Sequence, residues 1–235
     1  FICTQDLKDE EYTNNHYVVM ATRKGQVKKT SLEQYSRPRT NGINAITIRE
    51  GDELLEAKLT TGQSQVVLAV KSGKAIRFEE SKTRPMGRNA SGVRGITLQD
   101  AKDELVGMVT VNDLDTDILV VSEHGYGKRS KIEDYRITNR GGKGVKTLAL
   151  TKKTGNLVAI KNVTDADDLM IINRSGIAIR LGVESLRVMG RATQGVRLIN
   201  IKGDDSIAAV AKVMNDDEDI QDVSDLDVTV ENNED

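Results

Sequence analysis

Two glycines keep the same period through four consecutive segments of the chain. Gly25, Gly73, Gly125 and Gly176 are spaced by 48, 52 and 51 residues, and Gly42, Gly92, Gly144 and Gly195 by 50, 52 and 51. Two independent markers in one phase confine the fold to a tandem array, in which each unit buries its faces against its neighbours. Before each first glycine runs an apolar stretch, Tyr17–Ala21, Val66–Val70, Ile118–Val121 and Leu169–Ile172, with the signature of a buried strand. The turns that follow, such as Arg23-Lys-Gly25 and Arg174-Ser-Gly176, suit a tight hairpin with glycine at positive φ.

Second strands are expected over Val27–Leu32, Ala75–Phe78, Lys128–Ile132 and Ala178–Leu181, each with one apolar and one basic face. A longer connector then leads to the second glycine. Third strands are expected over Ile43–Ile48, Val93–Leu98, Val145–Leu150 and Val196–Ile201, and fourth strands over Leu54–Thr60, Leu105–Val111, Leu157–Val163 and Ile207–Val213. Pro38 and Pro85 fall in connectors, where they remove no donor from a sheet. No segment sustains a helical period. The expected fold is all-β, with propeller-like blades of four strands arranged about an axis over residues 16–214. Residues 1–15 read as the end of a preceding blade and a connector, with Phe1–Thr4 the end of a strand, and the chain as a piece of a longer protein.

Charge is divided unevenly. From Asn215 to Asp235 there are ten acidic residues and no basic one, so the first 214 residues hold all 34 basic residues against 26 acidic ones, a net charge of +8. An acidic end poor in aromatics is expected to be disordered, serving as a solubilising terminus or as a mobile competitor for the basic body. No run is long enough to span a membrane, no signal segment is present, and the single Cys3 forms no internal disulfide, which points to a reducing cytoplasm.

The connectors concentrate the cations. They contribute Arg37 and Arg39; Arg84, Arg88 and Arg94; Arg136, Arg140, Lys143 and Lys146; and Arg187, Arg191 and Arg197. The second strands add Lys28, Lys29, Lys74, Arg77, Lys128, Arg129 and Arg180. Because repetition carries equivalent positions to equivalent rims, these cations are expected to form one curved track that a duplex could follow. Tyr135–Lys146, where four cations alternate with Gly141, Gly142 and Gly144, is the densest part of it. Contacts of this kind give affinity without sequence reading and a strong salt dependence. Single-stranded ligands fit less well, because the chain has only seven aromatics to stack bases, and Tyr35 and Tyr135 read as loop anchors.

No catalytic constellation emerges. His16 and His124 lie in no metal-binding pattern, and Gly141-Gly-Lys-Gly144 has glycine where a nucleotide-binding loop needs Ser or Thr. Asp165, Asp167, Asp168, Asp204 and Asp205 read as turn formers.

Met20–Thr30, Gly92–Gly95, Gly125–Arg129 and Gly190–Arg197 resemble the C-terminal domain of the A protein of DNA gyrase, a bacterial type IIA topoisomerase, and the resemblance extends from Tyr17 to Val213. It implies a six-bladed β-pinwheel with strands exchanged between blades, of which these repeats would be the last four, and duplex DNA bent around a basic rim. It also implies two kinds of protein partner, the gyrase B protein plus a second gyrase A protein. Strand cleavage would lie in the enzyme's N-terminal part, and ATP hydrolysis with its magnesium in the B protein, leaving no cofactor here. Thr138–Gly144 keeps the last five residues of the family's Gln-Arg-Arg-Gly-Gly-Lys-Gly box and reads as a sister copy of it, the box itself lying upstream. Two alternatives remain: the substrate-selecting C-terminal domain of the A-type protein of topoisomerase IV, and a propeller serving as a protein-interaction platform.

Overall fold

The computed structural model describes residues 2, 4–201, 203 and 205–214. A short helix α1 (Glu10–Asn15) comes first, its amino end capped by the Asp9 carboxylate accepting from the Tyr12 N–H at 3.1 Å. The first repeat supplies β1 (Tyr17–Thr22), β2 (Gln26–Ser31) and β3 (Leu54–Thr60). The second supplies β4 (Gln65–Val70), β5 (Lys74–Glu79), β6 (Val93–Arg94) and β7 (Leu105–Val111). The third supplies β8 (Asp117–Ser122), β9 (Tyr126–Lys131), β10 (Val145–Lys146) and β11 (Leu157–Val163), and the fourth β12 (Asp167–Asn173), β13 (Ala178–Gly182), β14 (Val196–Arg197) and β15 (Ile207–Met214).

The strands assemble into one sheet per repeat, but no sheet is closed by its own third strand. The orders are β3-β1-β2-β6, β10-β5-β4-β7, β11-β8-β9-β14 and β13-β12-β15. Each of the first three blades is completed by a strand from the next repeat, Val27 pairing with Val93, Ala75 with Val145 and Gly127 with Val196. All these pairings are antiparallel. The exchanged strand keeps ladder bonds for two residues and then crosses the preceding hairpin, where Gly95, Thr147 and Leu198 donate their N–H groups to the carbonyls of Gly25, Gly73 and Gly125. The third strands are therefore much shorter than the sequence suggests, and residues 43–48 belong to no strand.

A first strand is apolar throughout because its two faces serve two cores. Val66, Leu68 and Val70 pack toward the first blade with Val19, Ala21 and Val27, while Val67 and Ala69 pack toward the third with Ile118 and Val120. Leu119 and Val121 turn the other way, into a core shared with Leu169 and Ile171 of the fourth blade. Outside the first blade, Leu7 and Tyr12 pack on Val18, Met20 and Leu32. Helix α1 thus lies in the part of 1–15 where a connector was expected; Ile2 and Thr4 are in no strand, and Phe1 and Cys3, the rest of the expected strand end, lie outside the described residues. The acidic segment 215–235 also lies outside them. Among the described residues no helix is long and apolar enough to cross a membrane.

Candidate nucleic-acid interface

Every second strand carries a cation four residues after its glycine, the first and third carry another one residue earlier, and the structure turns most of them inward. Lys29 is buried 2.9 Å from the Glu80 carboxylate of the next repeat, with its ammonium 4.1 Å from the centre of the Tyr17 ring. Arg77, at the same position, donates to the Ile132 and Tyr135 carbonyls at 2.7 and 3.0 Å and to Gln65. Arg129 reaches the Leu186 carbonyl and pairs with Asp117 and Asp165. In each case the partner includes the 3-10 turn of the following repeat or the residue after it. Arg180 has no following repeat among the described residues; it stays half-exposed and pairs with Asp168.

One residue earlier, Lys28 and Lys128 are fully buried. Lys28 donates to the carbonyls of Ala45 and Arg88, and Lys128 to those of Gly190, at 2.6 Å, and Arg191. Burial is the main cause that lowers both amines to a pKa of about 8, helped by the charges of Arg88 and Arg191. The basic face expected of the second strands is therefore internal. Lys28, Lys29, Arg77, Lys128 and Arg129 bind the blades together, because the connector and 3-10 turn of the following repeat cover the face that a free hairpin would expose. Lys74, beside Lys146 in the β5–β10 pair, remains half-buried.

The connectors place their cations differently. Arg84, Arg136 and Arg187 stand exposed where each connector leaves its 3-10 turn, and Arg94, Lys146 and Arg197 stand exposed on the exchanged strands. Arg37, Arg39 and Lys143 are exposed as well. Between the two in-phase sets lie Arg88, Arg140 and Arg191, half-buried, with guanidinium groups on backbone carbonyls of the preceding repeat. The connectors of successive repeats are thus in direct contact, and their outer cations follow one another. Gly144 shows why glycine accompanies them: it has a φ of 69°, and a Cβ there would lie 2.5 Å from the Ala75 carbonyl oxygen. In Tyr135–Lys146 the backbone is less free than expected, since the Gly141 N–H donates to the Gly95 carbonyl at 2.6 Å.

Tyr135 is buried with its hydroxyl on Thr147; burial pushes that hydroxyl up to about 12, with the Thr147 bond opposing the rise. Tyr35 bonds the Ala45 carbonyl at 3.3 Å. The buried Tyr135 ring is not available for stacking on a base, and the half-buried Tyr35 is tied to its own connector through its hydroxyl. A further basic group lies by the third hairpin, where the Arg197 guanidinium and the Lys153 ammonium each lie 5.5 Å from the Tyr126 ring centre, Arg197 also donating to the Tyr126 hydroxyl at 3.0 Å. Arg197 is the main cause that lowers the Tyr126 hydroxyl below the usual phenol range. Lys153 and Arg174, which line this recess, sit in turns out of phase with the connectors, so the repeat pattern passes over them. Among the described residues no group of three His, Cys, Asp or Glu side chains could hold a metal ion.

Exchanged blades whose connectors carry exposed cations in phase define a repeat β-protein of the propeller class. A family model described as DNA gyrase C-terminal domain, beta-propeller, matches residues 16–61, 65–112, 116–164 and 167–214, one match per repeat. The chain belongs to that family. The gyrase A protein of Staphylococcus aureus (strain NCTC 8325 / PS 47) is 46% identical over 220 residues, which cover 93% of this chain and 24% of that protein. The chain therefore spans about a quarter of the length of the curated relatives it matches. Among solved structures, the C-terminal domain of DNA topoisomerase IV superposes with a TM-score of 0.80 at 25% identity, over 85% of this chain and 62% of that one. The DNA gyrase A C-terminal domain superposes with a TM-score of 0.76 at 24% identity, over 86% and 67%, and supports the fold.

Proposed function

We propose that the chain binds and wraps duplex DNA without reading its sequence, as the C-terminal part of a gyrase A protein that supports ATP-dependent negative supercoiling. The observation that carries this is the in-phase pair of exposed cations on each of three touching connectors: Arg84 and Arg94, Arg136 and Lys146, Arg187 and Arg197. Smooth bending of a short duplex costs on the order of 1–6 kcal/mol, so a bent path needs several phosphate contacts made together. A curved row of fixed cations supplies them, and Arg37, Arg39, Lys74, Lys143 and Arg180 widen the row. The partners are duplex DNA, the gyrase B protein and a second gyrase A protein. Strand cleavage and ATP hydrolysis belong to other parts of that assembly, this chain holds no cofactor, and the location is the bacterial cytoplasm.

Gel retardation of one duplex at a series of salt concentrations tests the binding. Contact with the six in-phase cations predicts a plot of log affinity against log salt with a slope on the order of −5. Absence of a retarded duplex at low salt would leave the protein-interaction platform as the better reading. The structural likeness to the topoisomerase IV domain gives a second reading, a DNA binder that selects substrates and wraps little. The 46% identity to a gyrase A protein favours the first.

A further inference from the structure

We infer that Arg88, Arg140 and Arg191 are positioning residues, latches that hold each connector on the preceding one and so set the curvature of the phosphate track. The inference rests on the DNA-binding reading above. Each of the three stands four residues before the second glycine of its repeat, where the first repeat has Pro38. Each makes the same bond. The Arg88 guanidinium donates to the Asn44 carbonyl at 3.1 Å, that of Arg140 to the Arg94 carbonyl at 3.1 Å, and that of Arg191 to the Lys146 carbonyl. Asn44, Arg94 and Lys146 are themselves equivalent, two residues after the second glycine.

Arg140 and Arg191 each use a second nitrogen on the preceding 3-10 turn, Arg140 reaching the Lys82 carbonyl and Arg191 the Asp134 carbonyl, both at 3.0 Å. One planar fork thus ties the turn that begins a blade's connector to the exchanged strand that ends it. A lysine at this position replaces the fork's two separately placed donors with one nitrogen on a flexible stem. The acceptors are informative too: Arg94 and Lys146 carry outward cations on the very residues whose carbonyls are held. The latch therefore fixes where one contact lies relative to the next, while its own donors face backbone. Buried lysines secure two latches from behind, Lys28 on the Arg88 carbonyl and Lys128 on the Arg191 carbonyl.

The test compares two double variants of the 235-residue chain. Arg140→Lys with Arg191→Lys keeps the charge and removes the fork, whereas Arg94→Gln with Lys146→Gln removes outer charge and keeps the fork. Salt titration counts phosphate contacts, and energy transfer between dyes on the ends of a short duplex reads the bend. The lysine pair should leave the salt slope unchanged and lower the transfer efficiency toward that of free DNA. The glutamine pair should lower the slope magnitude by about 2, one unit per lost contact. A lysine pair with full bending, or with a slope lowered like that of the glutamine pair, overturns the latch. Arg88→Lys alone, which breaks one bond, repeats the comparison should the double variant misfold. If the unsubstituted chain retards no duplex, the binding reading is what fails. Amide hydrogen exchange then judges the latch by itself, faster exchange at β6 and β10 in the lysine pair sustaining it and unchanged exchange overturning it.

Discussion

Lys28 and Lys128 occupy one position in alternate repeats and show how far a residue's neighbours can depart from what its strand suggests. With both amines held at about 8 in the fold against 10.5 for an ordinary lysine, the unfolded chain binds more protons between those values. Stability therefore rises with pH from about 8 to about 10.5. Tyr135 acts in the opposite direction, since its hydroxyl is raised to about 12 and keeps its proton longer in the folded chain, so stability falls from about 10 to about 12. Denaturant midpoints across this range should pass through a maximum near pH 10, roughly where the two effects cross. Lys28→Met with Lys128→Met should flatten the rising limb and leave the falling one; a rising limb that survives contradicts the assignment to these two amines. At the connector, Gly42→Ala should cost about 1–2 kcal/mol for its left-handed backbone alone, since nothing lies within 4 Å of the new methyl. Gly144→Ala meets the Ala75 carbonyl as well and should cost more by equilibrium denaturation. Equal losses would mean that strand contact does not constrain Gly144.

At the scale of elements, the exchanged strands couple neighbouring repeats. Ile118→Ala in β8, at a fully buried site in the core shared with the second blade, should cost about 2–5 kcal/mol. Because β14 completes the third blade, amide exchange at Val196 and Arg197 should accelerate with β8 and β9 and before the rest of the fourth repeat. Acceleration of β12, β13 and β15 at the same time as β14 would contradict this order of coupling. Much of this layer was legible: Leu54–Thr60, Leu105–Val111 and Leu157–Val163 run between the limits that their residue pattern sets. The third strands were not, because Val93, Val145 and Val196 find their partners in another repeat, and local pattern carries no record of that pairing. For the same reason an alternating stretch such as Lys128–Ile132 suggests one open basic face, whereas the following repeat buries Lys128 and Arg129 and leaves Lys131 exposed. Helix α1, at six residues, is too short to show a period.

Over the whole molecule, the phase of the cations was legible and their direction was only partly so. Sequence spacing brings Arg84, Arg136 and Arg187 to one place and Arg94, Lys146 and Arg197 to another, and the fold leaves both sets exposed. It cannot show that Arg140, at the centre of the densest connector, spends its donors on carbonyls, since both acceptors lie more than forty residues away. Arg136→Gln with Lys143→Gln, both exposed, should weaken binding to all duplex sequences alike, and the salt slope should lose about one unit for each contact removed. A loss confined to one DNA sequence would contradict backbone recognition. Whether the track bends DNA around the chain is read from plasmid topology. Closed circular plasmid relaxed while the chain is bound should retain, after the protein is removed, a linking difference that grows with protein ratio until the plasmid is covered. A saturated plasmid that retains none would show that the chain binds DNA without wrapping it.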